Sequence, residues 1–397
     1  MFKVTFSFED GSMVETFANA GDNLLEVARS ANVAIDAPCS GNGACGKCRV
    51  QLKSGELESK KTLHISDEEY QEGWRLACCS KISADVNVLV PDIASAYKSR
   101  MKVADLSSKE EIAIFENAKS DIQLAGIELK NSLEVVDVLM DVPSLDDTMP
   151  DNERLTRALR KYLNINRVRI PYVVLKKLPD VLRENNFAVK CVIRATSDDM
   201  YVYDIFGKDE DVVIGGLAID IGTTTVSAVL INMENGEILA KSSAGNGQIR
   251  FGADVINRIV ESQKPGGQKK LQDAVIKETI NPMIHEMCKS AKFPKDHIYR
   301  MCVASNTTMN HLFAGINADY LRTEPYIPAF FKTNSLFASD VGIEINGDAH
   351  IIMAPNIGSY VGGDITAGTL VSMIWNRPEF SLFIDLGTNG ELVFGNS

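Results

Sequence analysis

The chain has 397 residues, more than one hydrophobic core accommodates, so about two to four domains are expected. Hydrophobic residues make up 45% and charged residues 24%, a balance that excludes an intrinsically disordered chain. The net charge of −12 argues against nucleic acid as a partner, because phosphate binding needs clustered Lys and Arg.

The N-terminus, Met1 to Phe6, reads as a strand rather than a secretory signal, and no apolar run approaches the ~18 residues of a membrane span. Residues 1–91 are predicted to form a small β-grasp domain. Val4–Phe8 and Val14–Phe17 alternate apolar and polar residues around a turn at Glu9-Asp10-Gly11. A short helix carries Leu24, Leu25, Val27 and Ala28. After a cysteine-rich loop come a strand near Arg49–Leu52 and a last strand, Asp85–Val90, closed by Pro91.

The loop, Cys39-Ser-Gly-Asn-Gly-Ala-Cys45-Gly-Lys-Cys48, and a cysteine after residues 49–77 have the spacing of a 2Fe–2S ligand set. Thiolates supply the soft anionic donors that such a cluster needs. Gly41, Gly43 and Gly46 let the loop wrap one side of it and turn N–H groups toward the sulfurs. In Trp74-Arg-Leu-Ala-Cys78-Cys79 either cysteine can be the fourth ligand. Cys78 is favoured by similarity to ferredoxins of this type, in which Arg-Leu-Ala-Cys is the usual run. The interval between Cys39 and Cys45 resembles the adrenodoxin-like variant. A structural zinc site is the competing reading, but it usually shows two C-x-x-C pairs, and here there is one. Cys191, Cys288 and Cys302 stand in apolar or helical contexts and are expected in the core. The histidines at 64, 285, 297, 311 and 350 show no ligand spacing. Eight cysteines make a poor disulfide framework in a chain of this size, so a cytoplasmic location is expected.

Residues 92–105 read as a polar linker and 106–210 as an α/β middle domain with no chemical constellation, a spacer or docking unit. In it, Pro143–Asp147 looks like a loop, Asn152–Leu163 has helical spacing and Ala188–Ile193 reads as a strand.

Residues 211–397 begin with Leu217–Ile221, a buried strand, the turn Gly222-Thr-Thr-Thr225 and a returning strand Val226–Ile231. Glu234-Asn-Gly236 then turns into Glu237–Lys241. Leu382–Leu386, Gly387-Thr-Asn-Gly390 and Glu391–Phe394 repeat the hairpin. In each copy the first glycine lets the backbone approach a phosphate. Thr223, Thr224 and Thr225, and Thr388, Asn389 and Gly390, supply N–H groups and hydroxyls. Asp220 and Asp385 are placed to hold hydrated Mg²⁺. One copy would be weak evidence; two, each behind an apolar strand, are much stronger. There is no Walker A sequence. The chain stops at Ser397 within the second hairpin, so a truncated second lobe, and weak ATP binding by this chain alone, are expected.

The paired hairpins resemble those of the acetate and sugar kinase, heat-shock protein 70 and actin superfamily, whose ribonuclease-H-like lobes hold ATP between them. Residues 361–376 fit that superfamily's first connecting helix, starting near Gly363. The resemblance makes Asp364 the candidate that positions the attacking water, a role compatible with capping the helix. In Ser305-Asn-Thr-Thr308, Asn306 lines the cleft or caps the next helix.

With the N-terminal cysteine domain and the middle domain, the chain resembles the ATP-dependent reductive activators of corrinoid proteins. Cys39–Cys48 with Arg75–Cys78, Asp220–Thr225, Ile249–Asp254, Ser305–Thr308 and Asp385–Glu391 carry the resemblance. It implies reduction of an inactive Co(II) corrinoid to Co(I) for methyl transfer, by an electron from the 2Fe–2S cluster, with ATP and Mg²⁺ as further cofactors. A corrinoid protein of a methyltransferase system and an external low-potential electron donor are the implied partners, and a homodimer is compatible with this. The alternatives are an electron carrier with a non-hydrolysing kinase-like docking domain, an activator of another low-potential enzyme, and a small-molecule kinase with a fused redox sensor.

Overall fold

In the computed structural model the described residues are 1–8, 13–31, 33, 35, 37, 43, 46–91, 109–129, 131–163, 165–196, 198–252, 254–333, 336–387 and 390–397. The first unit holds β1 (Phe2–Phe8), β2 (Met13–Ala18), α1 (Leu24–Ser30), β3 (Arg49–Ser59), α2 (Asp67–Gln71), β4 (Trp74–Leu76) and β5 (Ser80–Val90). Its sheet runs β2-β1-β5-β3-β4, with β1 parallel to β5. Val4, Phe6 and Val88 turn their side chains inward, where Leu24 and Leu25 of α1 cover them. Asn23 starts that helix by accepting from the backbone N–H groups of Leu25 and Glu26. β3 and β5 are each 11 residues long and outrun the expected strands. Their ladder continues through polar Lys53–Glu56 with register shifts at Gly55 (φ +90°), where a Cβ would strike the Asp85 carbonyl. The expected linker, 92–105, lies outside the described residues.

After α3 (Lys109–Leu124) come β6 (Leu133–Leu139), α4 (Asp151–Leu163), β7 (Arg167–Arg169), α5 (Tyr172–Glu184), β8 (Ala188–Ala195) and β9 (Asp199–Gly207). The sheet order is β6-β8-β9-β7. Leu155 and Leu159 of α4 and Val174, Leu178 and Leu182 of α5 cover one face. On the other, Tyr203 and Phe206 share an apolar layer with Val212, Ile214 and Tyr299.

The third unit opens with β10 (Gly215–Ile221), β11 (Thr225–Asn232) and β12 (Ile238–Gly245), then a 3₁₀ segment, Gly247–Phe251. The helices α6 (Val255–Ser262) and α7 (Gly267–Val275) lead through a π-helical turn, Ile276–Ile280, into α8 (Asn281–Ala291). β13 (Ile298–Ala304), α9 (Thr307–Ala314), α10 (Ala338–Val341), β14 (His350–Met353), α11 (Gly363–Ser372), β15 (Ser381–Leu386) and β16 (Gly390–Gly395) complete the chain. The sheet order is β12-β11-β10-β13-β14, antiparallel through β10 and parallel beyond it. β15 and β16 form a separate hairpin, and Phe383 packs where Gly368 of α11 leaves room for its ring.

Cys191 and Cys288 are buried as expected, whereas Cys302 is exposed. Strand alternation explains the correction: Met301 and Val303 take the inward positions of β13. Among the described residues no helix is long and apolar enough to cross a membrane.

Candidate functional site

The thiol site forms where β4 pairs with the start of β3. Arg49 lies opposite Leu76, and Ala77 N–H donates to the Cys48 carbonyl at 2.8 Å. The 3₁₀ turn Ala77–Cys79 then brings the Sγ of Cys78 within 3.1 Å of the Sγ of Cys48, and the Sγ atoms of Cys78 and Cys79 are 3.6 Å apart. Asn23, the cap of α1, donates from Nδ2 to the Cys78 carbonyl at 2.8 Å, so the same residue starts the helix and anchors the turn. The contact between the two Sγ atoms lowers the Cys48 thiol against its burial, and that contact together with burial pushes the Cys78 thiol up. Gly43 (φ +75°) sits close by: a Cβ on it would lie 3.2 Å from the Cys79 Sγ. Soft thiol donors under a glycine-lined loop fit a 2Fe–2S cluster. Of the four expected ligands, Cys48 and Cys78 are brought together, and Cys39 and Cys45 lie outside the described residues. Among the described residues no three His, Cys, Asp or Glu side chains group as metal ligands.

The second site gathers around the turn between β10 and β11. Asp220 lies opposite Ser227 at the end of β10, and Gly222 makes the turn tight: a Cβ there would stand 2.6 Å from the Thr225 carbonyl. Thr223 is buried, and Thr225 opens β11. Thr224 accepts the N–H of Asn246 at 2.8 Å through its carbonyl. Asn306 caps α9, accepting Met309 N–H at 2.9 Å, and also donates to the Thr223 hydroxyl at 3.3 Å. The cap expected from sequence is present, and the same side chain reaches the first hairpin. The Ser305 carbonyl accepts Gly363 N–H at 2.8 Å, which fixes the start of α11 and with it Asp364.

Loss of surrounding solvent, then the charges of Asp364 and Asp385, push the Asp220 carboxyl up to about 6. Solvent still reaches the residue, so it remains able to meet a ligand. Asp364 is raised by burial first and by Asp385 second. Asp385 lies opposite Glu391 in the second hairpin, where desolvation and the charges of Asp364 and Asp385 raise Glu391. The carboxylates of Asp220, Asp364, Asp385 and Glu391 thus feel one another's charge, although among the described residues they do not group closely as metal ligands. Gly387 and Gly390 bound the second turn and are exposed, while Thr388 and Asn389 lie outside the described residues.

Three residues beyond the sequence-derived set support the site. Glu391 adds its carboxylate. Asn246 donates to the Gly222 carbonyl at 2.9 Å, and the fully buried Arg258 donates from Nη2 to the Thr223 carbonyl. A buried arginine breaks the polar-outside pattern, which is why periodicity did not single it out.

Comparison with known families bears on both sites. The 2Fe-2S iron-sulfur cluster binding domain matches residues 7–83, the RACo linker region 122–212 and the RACo middle region 215–377. The corrinoid activation enzyme RamQ of Eubacterium limosum is 28% identical over 375 residues, covering 94% of this chain and 56% of RamQ. A solved reductive activator for corrinoid, iron-sulfur protein is 34% identical, with a TM-score of 0.60, over 100% of this chain and 62% of that one. A polypeptide of the Na(+)-translocating NADH-quinone reductase of Actinobacillus pleuropneumoniae serotype 5b (strain L20) is 40% identical over 75 residues, 18% of each chain. The chain therefore spans a little over half the length of the corrinoid-related proteins it matches. Along its length it carries, in order, a 2Fe–2S domain, the RACo linker region and the RACo middle region, and so resembles the reductive activators of corrinoid proteins.

Proposed function

We propose that this chain is the electron-delivering and phosphate-gripping part of an ATP-dependent reductive activator of a corrinoid protein. The observation that carries the reading is the coexistence of two sites on one chain: paired thiols at Cys48 and Cys78, and a tight Gly-Thr hairpin whose Asp220 feels the charges of Asp364 and Asp385. When bound, the cluster supplies one electron, so that its reduced form is oxidised as Co(II) becomes Co(I). Cys39, Cys45, Cys48 and Cys78 hold it, and an external low-potential donor refills it. Gly222, Thr223, Thr224, Thr225 and Asn306 grip phosphate together with Gly387, Thr388, Asn389 and Gly390. Asp220 and Asp385 orient hydrated Mg²⁺, and Asp364 positions the attacking water.

In this division of labour residues 1–91 carry the electron, 92–105 join, 106–210 dock, and 211–397 bind nucleotide. ATP is required because the Co(II)/Co(I) step lies at low potential. Each 100 mV of deficit costs about 2.3 kcal/mol for one electron, a gap that a nucleotide-driven switch can cover. The partner is a corrinoid protein of a methyltransferase system, and free thiols fit a cytoplasmic setting. The test mixes full-length protein, a low-potential reductant, MgATP and a Co(II) corrinoid protein. Co(I) absorbance should grow only with all four present. Equal Co(I) formation without ATP would leave a simple electron carrier.

A further inference from the structure

Arg29, at the end of α1, belongs to the cysteine-bearing unit, yet its side chain is almost fully buried against another part of the molecule. Its Nε donates to the backbone carbonyl of Arg250 at 3.0 Å, and its Nη1 bonds Glu26 at 2.7 Å. Its Nη2 is buried with no acceptor among the described residues. A buried guanidinium loses much if the Arg250 carbonyl moves away, because a charged donor would then be stranded.

The carbonyl it holds sits in the segment 247–252, which is tied to the first phosphate hairpin at two points. Asn246, the cap of that segment, donates to Gly222 O at 2.9 Å. Arg258 donates from Nε to Gly252 O at 2.8 Å and from Nη2 to Thr223 O. Both carbonyls at the base of the hairpin are therefore bonded to side chains that also brace the segment Arg29 grips. Opposite Arg29, α1 is fixed at its start by Asn23, whose Nδ2 holds the carbonyl of Cys78. A continuous set of hydrogen bonds leads from the phosphate turn to the thiol turn.

From this geometry we infer that Arg29 is a positioning residue: it docks the 2Fe–2S unit on the segment 247–252, so that a shift of the first phosphate hairpin moves the cluster-bearing unit. The inference deepens the proposed function and rests on its assignment of nucleotide to the hairpin.

Hydrogen exchange read by mass spectrometry on the cluster-loaded full-length protein, with and without saturating MgATP, tests it. Without nucleotide, Arg29→Ala should speed exchange about tenfold both in 24–31 and in 247–252, with the visible absorption of the cluster unchanged. Should that variant lose its cluster absorption, Arg29→Lys, which keeps the charge and the apolar stem, is read in its place. Exchange unchanged in both segments would overturn the docking. In the wild type, MgATP should alter exchange in 222–225, in 247–252 and in 24–31, and the response in 24–31 should vanish in the variant while that in 222–225 stays. A response in 24–31 that survives the substitution would overturn the relay through Arg29. A wild type that responds at 222–225 but not at 24–31 would overturn the relay and leave the nucleotide assignment standing. No response at 222–225 would sink that assignment and the relay together, while the nucleotide-free comparison still decides the docking.

Discussion

The two adjacent cysteines, Cys78 and Cys79, meet different neighbours. Cys78 faces Cys48 at 3.1 Å, and Cys79 lies beside Gly43. If Cys78 is the fourth ligand, Cys78→Ser and Cys48→Ser should both remove the red-brown visible absorption and the ~2 irons per chain. Cys79→Ser should keep both, and the reverse pattern would move the ligand by one residue. At the phosphate turn, Asp220 has its carboxyl raised to about 6, so in the nucleotide-free protein it is protonated below that pH and charged above it. A cation needs the charged form. Mg²⁺-dependent ATP binding should therefore weaken as pH falls through about 6, and Asp220→Asn should both weaken binding and flatten that pH profile. Titration calorimetry on the full-length protein from pH 5 to 8 checks this. A wild-type affinity that does not change with pH would remove Asp220 from the cation site.

At the scale of elements, the junction of α7 and α8 has a specific cause. The Thr279 hydroxyl donates to the Ala274 carbonyl at 2.8 Å and accepts Gly247 N–H at 3.0 Å, so the widened turn Ile276–Ile280 ties the helix pair to the segment beneath the phosphate hairpin. Thr279→Val keeps the shape but strands a buried donor and a buried acceptor, and should cost about 1–3 kcal/mol in denaturant unfolding. A loss below about 0.5 kcal/mol would show that the hydroxyl is dispensable. Such polar joints are where the sequence was least readable. The hairpin strands at 217–231 and 382–394 and the helix at 152–163 stood out because their apolar periods are clean. The helix α5 was missed. Pro179 interrupts it, and burial of Val174, Leu178 and Leu182 outweighs the lost backbone hydrogen bond. α6 hid for the opposite reason, since Arg258, Glu261 and Ser262 are buried beside Val255 and Ile259. The chemistry of the candidate sites was legible as residue types. That Asn306 reaches Thr223, or that Asn246 and Arg258 brace the turn, depends on contacts between helix caps, a helix and a turn distant in sequence, which no local pattern carries.

Across the whole molecule, the core of the first unit is drawn entirely from residues up to Val90, whereas the second and third sheets share a layer. Tyr299 of β13 is fully buried in that layer, edge-on to Tyr203 at 5.9 Å, and donates to Asp204 Oδ2 at 3.2 Å. Lys177 of α5 pairs with the same carboxylate, so Asp204 is held from both units at once. Separating the units would take the Tyr299 hydroxyl from this carboxylate and expose the shared apolar layer on both halves, which makes separation costly. The second and third units should therefore melt as one cooperative block. Tyr299→Ala removes a large ring and one of the partners of Asp204, at a cost of about 3–5 kcal/mol. For a block of this size that lowers the main calorimetric transition by about 6 °C or more. Differential scanning calorimetry on wild type and variant checks this. Two separate transitions for these units in the wild type, or an unchanged main transition in the variant, would show that the shared layer does not couple them.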